Sequence, residues 1–112
     1  MTILQRELPV LPELRFDLPT PEVEDVVAAA ALIGDRTRAG IMRLLADGPH
    51  CVCEMAAALG ERQNNVSNHL ARLREGGLIR ASRHRVDARW VYYERDEAAC
   101  RAAARLLDGL LG

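Results

Sequence analysis

The sequence predicts one mainly helical domain with a small β-hairpin, and three observations lead to that prediction. Hydrophobic residues make up 49% of the 112 residues, and the two commonest residue types, alanine and leucine, favour helices. Apolar residues recur at helical spacing through most of the chain but follow a strand pattern from Leu78 to Glu94. A chain of this length supports one modest core.

The N-terminal segment, residues 1–21, is predicted to be an extended arm. It holds four of the five prolines of the chain. Proline fixes the backbone angle φ and removes a hydrogen-bond donor, so a helix is disfavoured here. Its apolar residues indicate that the arm packs on another surface. Residues 22–112 are then expected to form the folded domain.

Capping and turn residues predict five helices in that domain. Two of them, near residues 51–59 and 62–75, are separated only by a turn at Gly60, which is typical of a helix-turn-helix. Two strands follow, around a turn near residues 85–87, and such a hairpin is the wing of a winged helix-turn-helix. In order, the helices are expected to begin at Thr20-Pro21, after Asp35, near Cys51, near Arg62 and after Asp96.

Charge is distributed unevenly along the chain, although the net charge is only −1. Between residues 62 and 95 eight arginines outnumber three acidic residues, whereas six acidic residues outnumber two arginines in residues 1–25. A basic segment of this kind predicts a polyanionic partner if its arginines share a face. No apolar run approaches the roughly 20 residues of a membrane span, and no signal segment is found, so a cytoplasmic protein without a membrane partner is expected.

The fourth predicted helix has an unusual polar face. Asparagine and serine are poor helix formers, yet they crowd its first two turns, where amides and hydroxyls suit base edges and phosphates. The alternative is ordinary polar surface with helix caps. One helix-turn-helix rarely binds tightly alone, so a homodimer on double-stranded operator DNA is expected, paired through the first and last helices. The candidate DNA-binding residues are Arg62, Gln63, Asn64, Asn65, Ser67, Asn68, His69, Arg72, Arg83 and Arg85.

Three cysteines predict a second site, for a soft metal or metalloid ion. Cys51 and Cys53 are too close in sequence for an ordinary structural disulfide, and paired thiols bind thiophilic ions. Residues i and i+2 lie about 200° apart on a helix, so shared ligation requires non-helical backbone. If this stretch is helical, binding must unwind its first turn. Cys100 is the candidate third ligand, from the same or the opposite subunit, with core packing as its alternative role.

The order and spacing of these motifs resemble the ArsR/SmtB family of dimeric, winged-helix, metal-responsive repressors. The resemblance covers about residues 22–111 and implies a dimer that binds operator DNA and releases it when an inducer binds. It rests on the segments Asp35-Arg36-Thr37-Arg38, His50-Cys51-Val52-Cys53-Glu54-Met55, Val66-Ser67-Asn68-His69-Leu70, Arg74-Glu75-Gly76-Gly77-Leu78-Ile79 and Arg89-Trp90-Val91-Tyr92-Tyr93.

The chain departs from that family in its potential ligands. Arsenic-type members often have a third cysteine where this chain has Ala56, and cadmium/lead-type members often recruit one from the arm, which here has none. The last helix also lacks the histidine ligands of zinc- or nickel-type members. The predicted function is repression relieved by As(III), with Sb(III) as a further inducer and no organic cofactor.

Two alternatives remain open at this point. One is a repressor of the same fold that responds to Cd(II), Pb(II) or Zn(II). The other is a thiol redox or persulfide sensor, for instance with Cys53 bridged to Cys100. An enzyme is not expected, because neither a glycine-rich oxyanion turn nor a histidine oriented by a carboxylate can be identified.

Overall fold

The computed structural model describes residues 21–83 and 90–112, so the predicted arm, apart from Pro21, and the predicted wing turn lie outside the described residues. The mainly helical class with a small antiparallel sheet is confirmed. In the described part of the chain the elements are α1 (Pro21–Ile33), α2 (Arg36–Leu45), β1 (His50–Cys51), α3 (Val52–Leu59), α4 (Gln63–Glu75), β2 (Ile79–Arg83), β3 (Val91–Arg95) and α5 (Glu97–Leu111).

Two of the predicted helix starts, after Asp35 and after Asp96, are confirmed by the hydrogen bonds of their capping residues. Asp35 Oδ2 accepts from the backbone nitrogens of Thr37 at 2.9 Å and Arg38 at 3.0 Å at the start of α2. Asp96 Oδ1 accepts from the backbone nitrogen of Ala99 at 3.0 Å at the start of α5. An N-cap of this kind contributes about 1 kcal/mol, because it satisfies amide donors that the helix leaves unpaired.

The turn between α3 and α4 depends on Gly60. Its φ of 66° lies in the left-handed region, where a residue with a Cβ is strained. The chain therefore leaves α3 abruptly and enters α4 after three residues, 60–62, and the two helices pack against each other. This is the helix-turn-helix that the sequence predicts.

The sheet contains one strand more than the predicted hairpin. β3 lies between β1 and β2, and both of its pairings are antiparallel. β1 has only two residues, His50 and Cys51, which lie opposite Tyr93 and Tyr92. The sequence analysis placed Cys51 at the start of a helix, whereas it is the last residue of this strand. As a result, the beginning of α3 is joined to the wing sheet.

The core lies between α2, α3, α4 and the sheet, and α1 and α5 pack together at its edge. Its fully buried side chains are Ile41, Met55, Val66, Leu70 and Leu73. None of the residues of α5, all of which are described, is buried in the single chain, and Leu110 and Leu111 are 59% and 79% exposed. Among the described residues, no helix combines the length and apolarity needed to cross a bilayer.

Candidate functional site

The two neighbouring thiols are brought together at the N-terminus of α3. Cys51 is the N-cap residue with extended backbone (φ −91°, ψ 169°), and Cys53 lies in the first turn of the helix. Their sulfur atoms are 3.1 Å apart. The geometric conflict expected for two helical cysteines does not arise, because the helix begins one residue later than predicted. No unwinding is needed to align the two sulfurs.

The surroundings of Cys51 favour the protonated form of its thiol. Cys51 is only 6% exposed, and burial raises the pKa of its thiol above the ordinary value, as does the hydrogen bond with Cys53. The Glu54 carboxylate accepts from the backbone nitrogen of Cys51 at 2.9 Å, which lowers the pKa of Glu54. The resulting negative charge also opposes a thiolate at Cys51. Near neutral pH the Cys51 thiol therefore keeps its proton.

Cys100 lies apart from this pair, on α5. Its sulfur donates to the carbonyl oxygen of Leu78 at 3.6 Å, and burial raises the pKa of its thiol. It lines an apolar cavity of about 300 Å³ together with Met42 and Leu107. Within residues 21–83 and 90–112, no three His, Cys, Asp or Glu side chains are grouped so as to hold a metal ion. The structure thus brings together two of the three predicted thiols, and a contribution from Cys100 stays a prediction that concerns a second subunit.

The polar face of α4 is open to solvent, as the DNA-binding prediction requires. Val66, Leu70 and Leu73 anchor the helix in the core. The other face carries side chains at positions i, i+1, i+4 and i+5, which share one side of a helix. The predicted DNA-binding residues that are exposed on α4 and at its N-cap are Arg62, Gln63, Asn64, Ser67, Asn68 and Arg72.

Asn65 and His69 differ from those residues, because both contact other protein groups. Asn65 Nδ2 donates to Glu61 Oε1 at 2.6 Å, and the hydroxyl of Thr37 donates to the other oxygen of Glu61 at 3.1 Å. His69 Nδ1 lies 3.0 Å from Arg38 Nη1, and only 19% of the His69 side chain is exposed. For both, the geometry favours support of α4 over direct base contact.

Sequence reasoning did not identify Glu61 and Arg38 as site residues. Charged residues next to helix ends are usually solvated, and the sequence offered no signal for Glu61. Arg38 was part of the resemblance motif, but its partner His69 is 31 residues away in the chain. Of the predicted wing residues, Arg83 ends β2 opposite Val91. The side chain of Arg83 and all of Arg85 lie outside what the structure describes.

Comparison of the sequence with known proteins yields a family and several relatives. The model for "bacterial regulatory protein, arsR family" matches residues 35–81. The chain is 38% identical over 78 residues to the arsenical resistance operon repressor of Escherichia coli K12. These residues make up 69% of this chain and 64% of that protein. It is 42% identical over 62 residues to the arsenic resistance transcriptional regulator ArsR2 of Pseudomonas putida, covering 54% of this chain and 51% of that protein.

The match to a third relative spans more of that relative's length. The chain is 33% identical over 78 residues to an uncharacterised HTH-type transcriptional regulator of Methanocaldococcus jannaschii. These residues make up 69% of this chain and 84% of that protein. By contrast, the matches span only 64% and 51% of the lengths of the two arsenic-resistance proteins. All three relatives are named as regulators or repressors, in agreement with the prediction that the chain is not an enzyme.

Solved structures confirm the winged helix-turn-helix. One is the crystal structure of a possible transcriptional regulator for arsenical resistance, with a TM-score of 0.67, 26% identity, and coverage of 74% of this chain and 83% of that one. Another is the homodimeric winged helix-turn-helix DNA-binding domain of Mb0332 from Mycobacterium bovis, with a TM-score of 0.61, 26% identity, and coverage of 88% and 85%. Each likeness extends over about three quarters or more of this chain.

Proposed function

Because this chain belongs to the arsR family of bacterial regulatory proteins, we propose that it is a transcriptional repressor that binds operator DNA as a homodimer and is released when As(III) binds Cys51 and Cys53. The observation that carries the proposal is the pair of free thiols, 3.1 Å apart, at the start of the first helix of the helix-turn-helix. Names of relatives that refer to arsenic resistance support the choice of inducer.

The distance between the two sulfurs suits a pyramidal ion. With bonds of about 2.3 Å, a tetrahedral ion keeps its sulfur ligands about 3.8 Å apart, whereas bond angles near 90° bring them to about 3.3 Å. As(III) carries a lone pair and bonds sulfur in a pyramid of the second kind. The observed 3.1 Å between Cys51 Sγ and Cys53 Sγ is closer to the pyramidal value. The two sulfurs are therefore close enough for both to bond one As(III) ion.

The protonated state of Cys51 favours As(III) over a divalent metal. Arsenous acid is a neutral hydroxide, so each cysteine S–H and As–OH can exchange to give an As–S bond and one water. Two cysteines release two waters and no net proton, and no atom is oxidised or reduced. A divalent metal must instead displace two protons. The raised pKa of Cys51 makes that displacement more costly, but leaves the reaction with arsenous acid unhindered.

After reaction with two thiols, As(III) retains one hydroxyl group. That position can accept a third sulfur, and Cys100 of a second copy is the thiol that remains for it. The inducer site that we propose therefore needs Cys51 and Cys53 in every case. Cys100 adds a third bond only if dimerisation brings it to the pair.

Burial of Cys51 provides the connection between inducer binding and DNA binding. A ligand shifts a conformational equilibrium only by the difference in its affinity for the two states. Cys51 is 6% exposed, so an ion bonded to its sulfur needs space that the described conformation fills with protein. The first turn of α3 must then move. Met55 of α3 packs in one core with Leu70 of α4, and a shift of α3 therefore changes how α4 is presented to DNA.

Dimerisation places two copies of α4 on one duplex. Val27 of α1 is 56% exposed, and Leu110 and Leu111 of α5 are also exposed, which leaves an apolar surface uncovered in the single chain. A twofold pairing of these two helices buries it. Two recognition helices then contact half-sites about one DNA turn apart. The homodimeric state of the Mb0332 domain supports this part of the proposal.

Fluorescence anisotropy of a labelled duplex tests the proposal. The duplex is selected from a random-sequence pool with the reduced wild-type protein and then titrated with arsenite, antimonite, Cd(II), Pb(II) and Zn(II). We expect arsenite to release wild type, whereas Cys51→Ser and Cys53→Ser bind the duplex but resist release. Cys100→Ser is the matched control: an unchanged response indicates two thiols, and a weakened one indicates three. Release of the Cys51→Ser, Cys53→Ser double variant by arsenite would overturn the thiol site.

The distance of 3.1 Å also favours a second candidate, a response to oxidants. Hydrogen peroxide can oxidise the two thiols to a disulfide and is itself reduced to two waters. The described residues favour Cys51 with Cys53 as the bridged pair over Cys53 with Cys100, because Cys100 instead contacts Leu78. Release of the duplex by peroxide in the absence of arsenite, with recovery on reduction, identifies this function.

A further inference from the structure

Arg38 is a buried charged side chain whose bonds are not explained by the thiol site or by the exposed face of α4. It is 7% exposed, and a buried charge is costly unless its donors are paired. Its Nε donates to the carbonyl oxygen of Leu32, and its Nη2 donates to that of Ala31 at 3.2 Å. Its Nη1 lies 3.0 Å from Nδ1 of His69. A guanidinium has only donors, so Nδ1 of His69 is the acceptor.

These bonds connect three helices. Ala31 and Leu32 lie in the last turn of α1, where backbone carbonyls have no partner within the helix and a positive charge is favourable. His69 lies in the middle of α4. Arg38, which is itself in α2, therefore joins the end of α1 to the helix that carries the DNA-binding face.

The preceding residue of α2 reinforces this connection. Thr37 donates to Glu61, and Glu61 accepts from Asn65. Asn65 and His69 are four residues apart and thus lie on one side of α4. Two neighbouring residues of α2 therefore hold the same side of α4, next to its exposed polar face.

We propose that Arg38 is a positioning residue for DNA recognition, which sets the orientation of α4 relative to α1 so that the two copies of α4 in a dimer match the spacing of two half-sites. This inference rests on the proposed function, which places α1 at the dimer interface. Half-sites lie about 34–36 Å apart, so a small rotation of each α4 moves both helices out of register with the grooves. Arg38 does this without touching DNA, because it is 7% exposed.

The side-chain geometry requires arginine at this position. A guanidinium presents donors in a rigid, planar arrangement, whereas a lysine ammonium is a single point at the end of a flexible chain. In Arg38 a different nitrogen meets each acceptor, Nε and Nη2 the two carbonyl oxygens of α1 and Nη1 the ring nitrogen of α4. We therefore expect Arg38→Lys to behave like Arg38→Met.

The test compares the selected duplex, which has two half-sites, with the same duplex carrying about 5 extra base pairs, half a helical turn, between them. Wild type should prefer the original spacing. In Arg38→Met the ratio of the affinities for the two duplexes should fall by about tenfold. The affinity for an isolated half-site and its salt dependence should stay near wild type, because no phosphate contact is lost. Arg43→Met, an exposed arginine on the same helix, is the matched control.

A second pair of variants covers the possibility that Arg38→Met does not fold. His69→Asn keeps an acceptor near the position of Nδ1 and should retain the spacing preference, whereas His69→Leu should lose it. Because both residues act through the same contact, the double variant Arg38→Met, His69→Leu should lose little more than either single variant. If His69→Leu and any folded Arg38 variant keep the spacing preference of Arg43→Met, the positioning role is wrong. If wild type itself shows no preference between spacings, the dimeric DNA-binding function fails instead.

Discussion

Cys51 lies directly opposite Tyr92 where β1 pairs with β3, so the residue that carries the buried thiol also joins α3 to the wing sheet. Tyr92 in turn lies opposite Ser82 of β2. Movement of Cys51 is therefore transmitted in two directions, through α3 to α4 and through β3 to the wing. Under the proposed function, an inducer bonded to Cys51 would therefore act on both elements that a winged helix-turn-helix presents to DNA.

The proton balance of inducer binding leads to a pH prediction. The raised pKa of Cys51 means that its thiol is protonated across the neutral range. Arsenite binding should therefore be nearly independent of pH between about 6 and 8, whereas Cd(II) affinity should rise by up to about 100-fold per pH unit, since two protons are released. Duplex release at a series of pH values measures both, and Cys100→Ser serves as the control. Arsenite affinity that rises in parallel with Cd(II) affinity would contradict the proton balance.

Glu54 leads to a prediction about acid stability. Its carboxylate accepts from the backbone of Cys51, and its pKa is consequently lower in the folded protein than its ordinary value of 4.5. The unfolded state then binds the proton more readily, so the stabilisation is present above pH 4.5 and is lost as the pH falls through the folded-state pKa. Urea unfolding as a function of pH should show a steeper acid loss for wild type than for Glu54→Gln.

The control for this measurement is Glu75→Gln at the exposed end of α4, which should keep the steep acid loss of wild type. A wild-type profile indistinguishable from that of Glu54→Gln would show that the Glu54–Cys51 bond does not contribute to the acid dependence.

Much of the fold could be predicted from the sequence because local chemistry determines where each helix begins and ends. Asp35 and Asp96 form the predicted caps, and Gly60 makes the predicted turn. The strand β1 could not be predicted, since two residues show no periodicity and their partners in β3 lie far along the chain. The backbone conformation of Cys51 depends on that pairing.

The candidate site, too, could be predicted from the sequence only in part. The spacing of Cys51 and Cys53 predicts shared ligation, but their sulfur–sulfur distance depends on Cys51 being an extended N-cap. The polar composition of α4 predicts its exposed face. The contact of Arg38 with His69 arises only when α1, α2 and α4 pack together, and no local pattern indicates it.

Ala56 offers a gain-of-function prediction. It lies three residues after Cys53, on the same side of α3, and is 5% exposed. Ala56→Cys should place a third sulfur beside the thiol pair, and arsenite should then release the duplex at lower concentrations and dissociate more slowly. Ala56→Ser, which has a similar size but no thiol, is the matched control. Equal arsenite concentrations at half-release for the two variants would show that a sulfur at position 56 does not reach the site.

The exposed arginines of the α4 region lead to a prediction about salt. Each arginine that contacts a phosphate releases counterions, so the logarithm of the DNA affinity falls linearly with the logarithm of salt concentration. Arg62 at the N-cap of α4 and Arg72 in its last turn are both exposed, and a dimer carries two copies of each. Arg62→Ala and Arg72→Ala should each reduce the magnitude of that slope by about 1 per subunit.

The control for the salt measurement is Arg43→Ala, which removes an exposed arginine from α2, outside α4 and outside the helices assigned to dimerisation, and should leave the slope unchanged. The effect should also be nearly the same on selected and on unrelated duplexes, because phosphate contacts carry no sequence information. A variant such as Asn68→Ala, by contrast, should weaken binding to the selected duplex alone and keep the slope. If Arg72→Ala instead changed the sequence preference at a constant slope, Arg72 would be assigned to a base edge. Phosphate contacts by the basic segment would then contribute less to the DNA affinity than the charge of that segment implies.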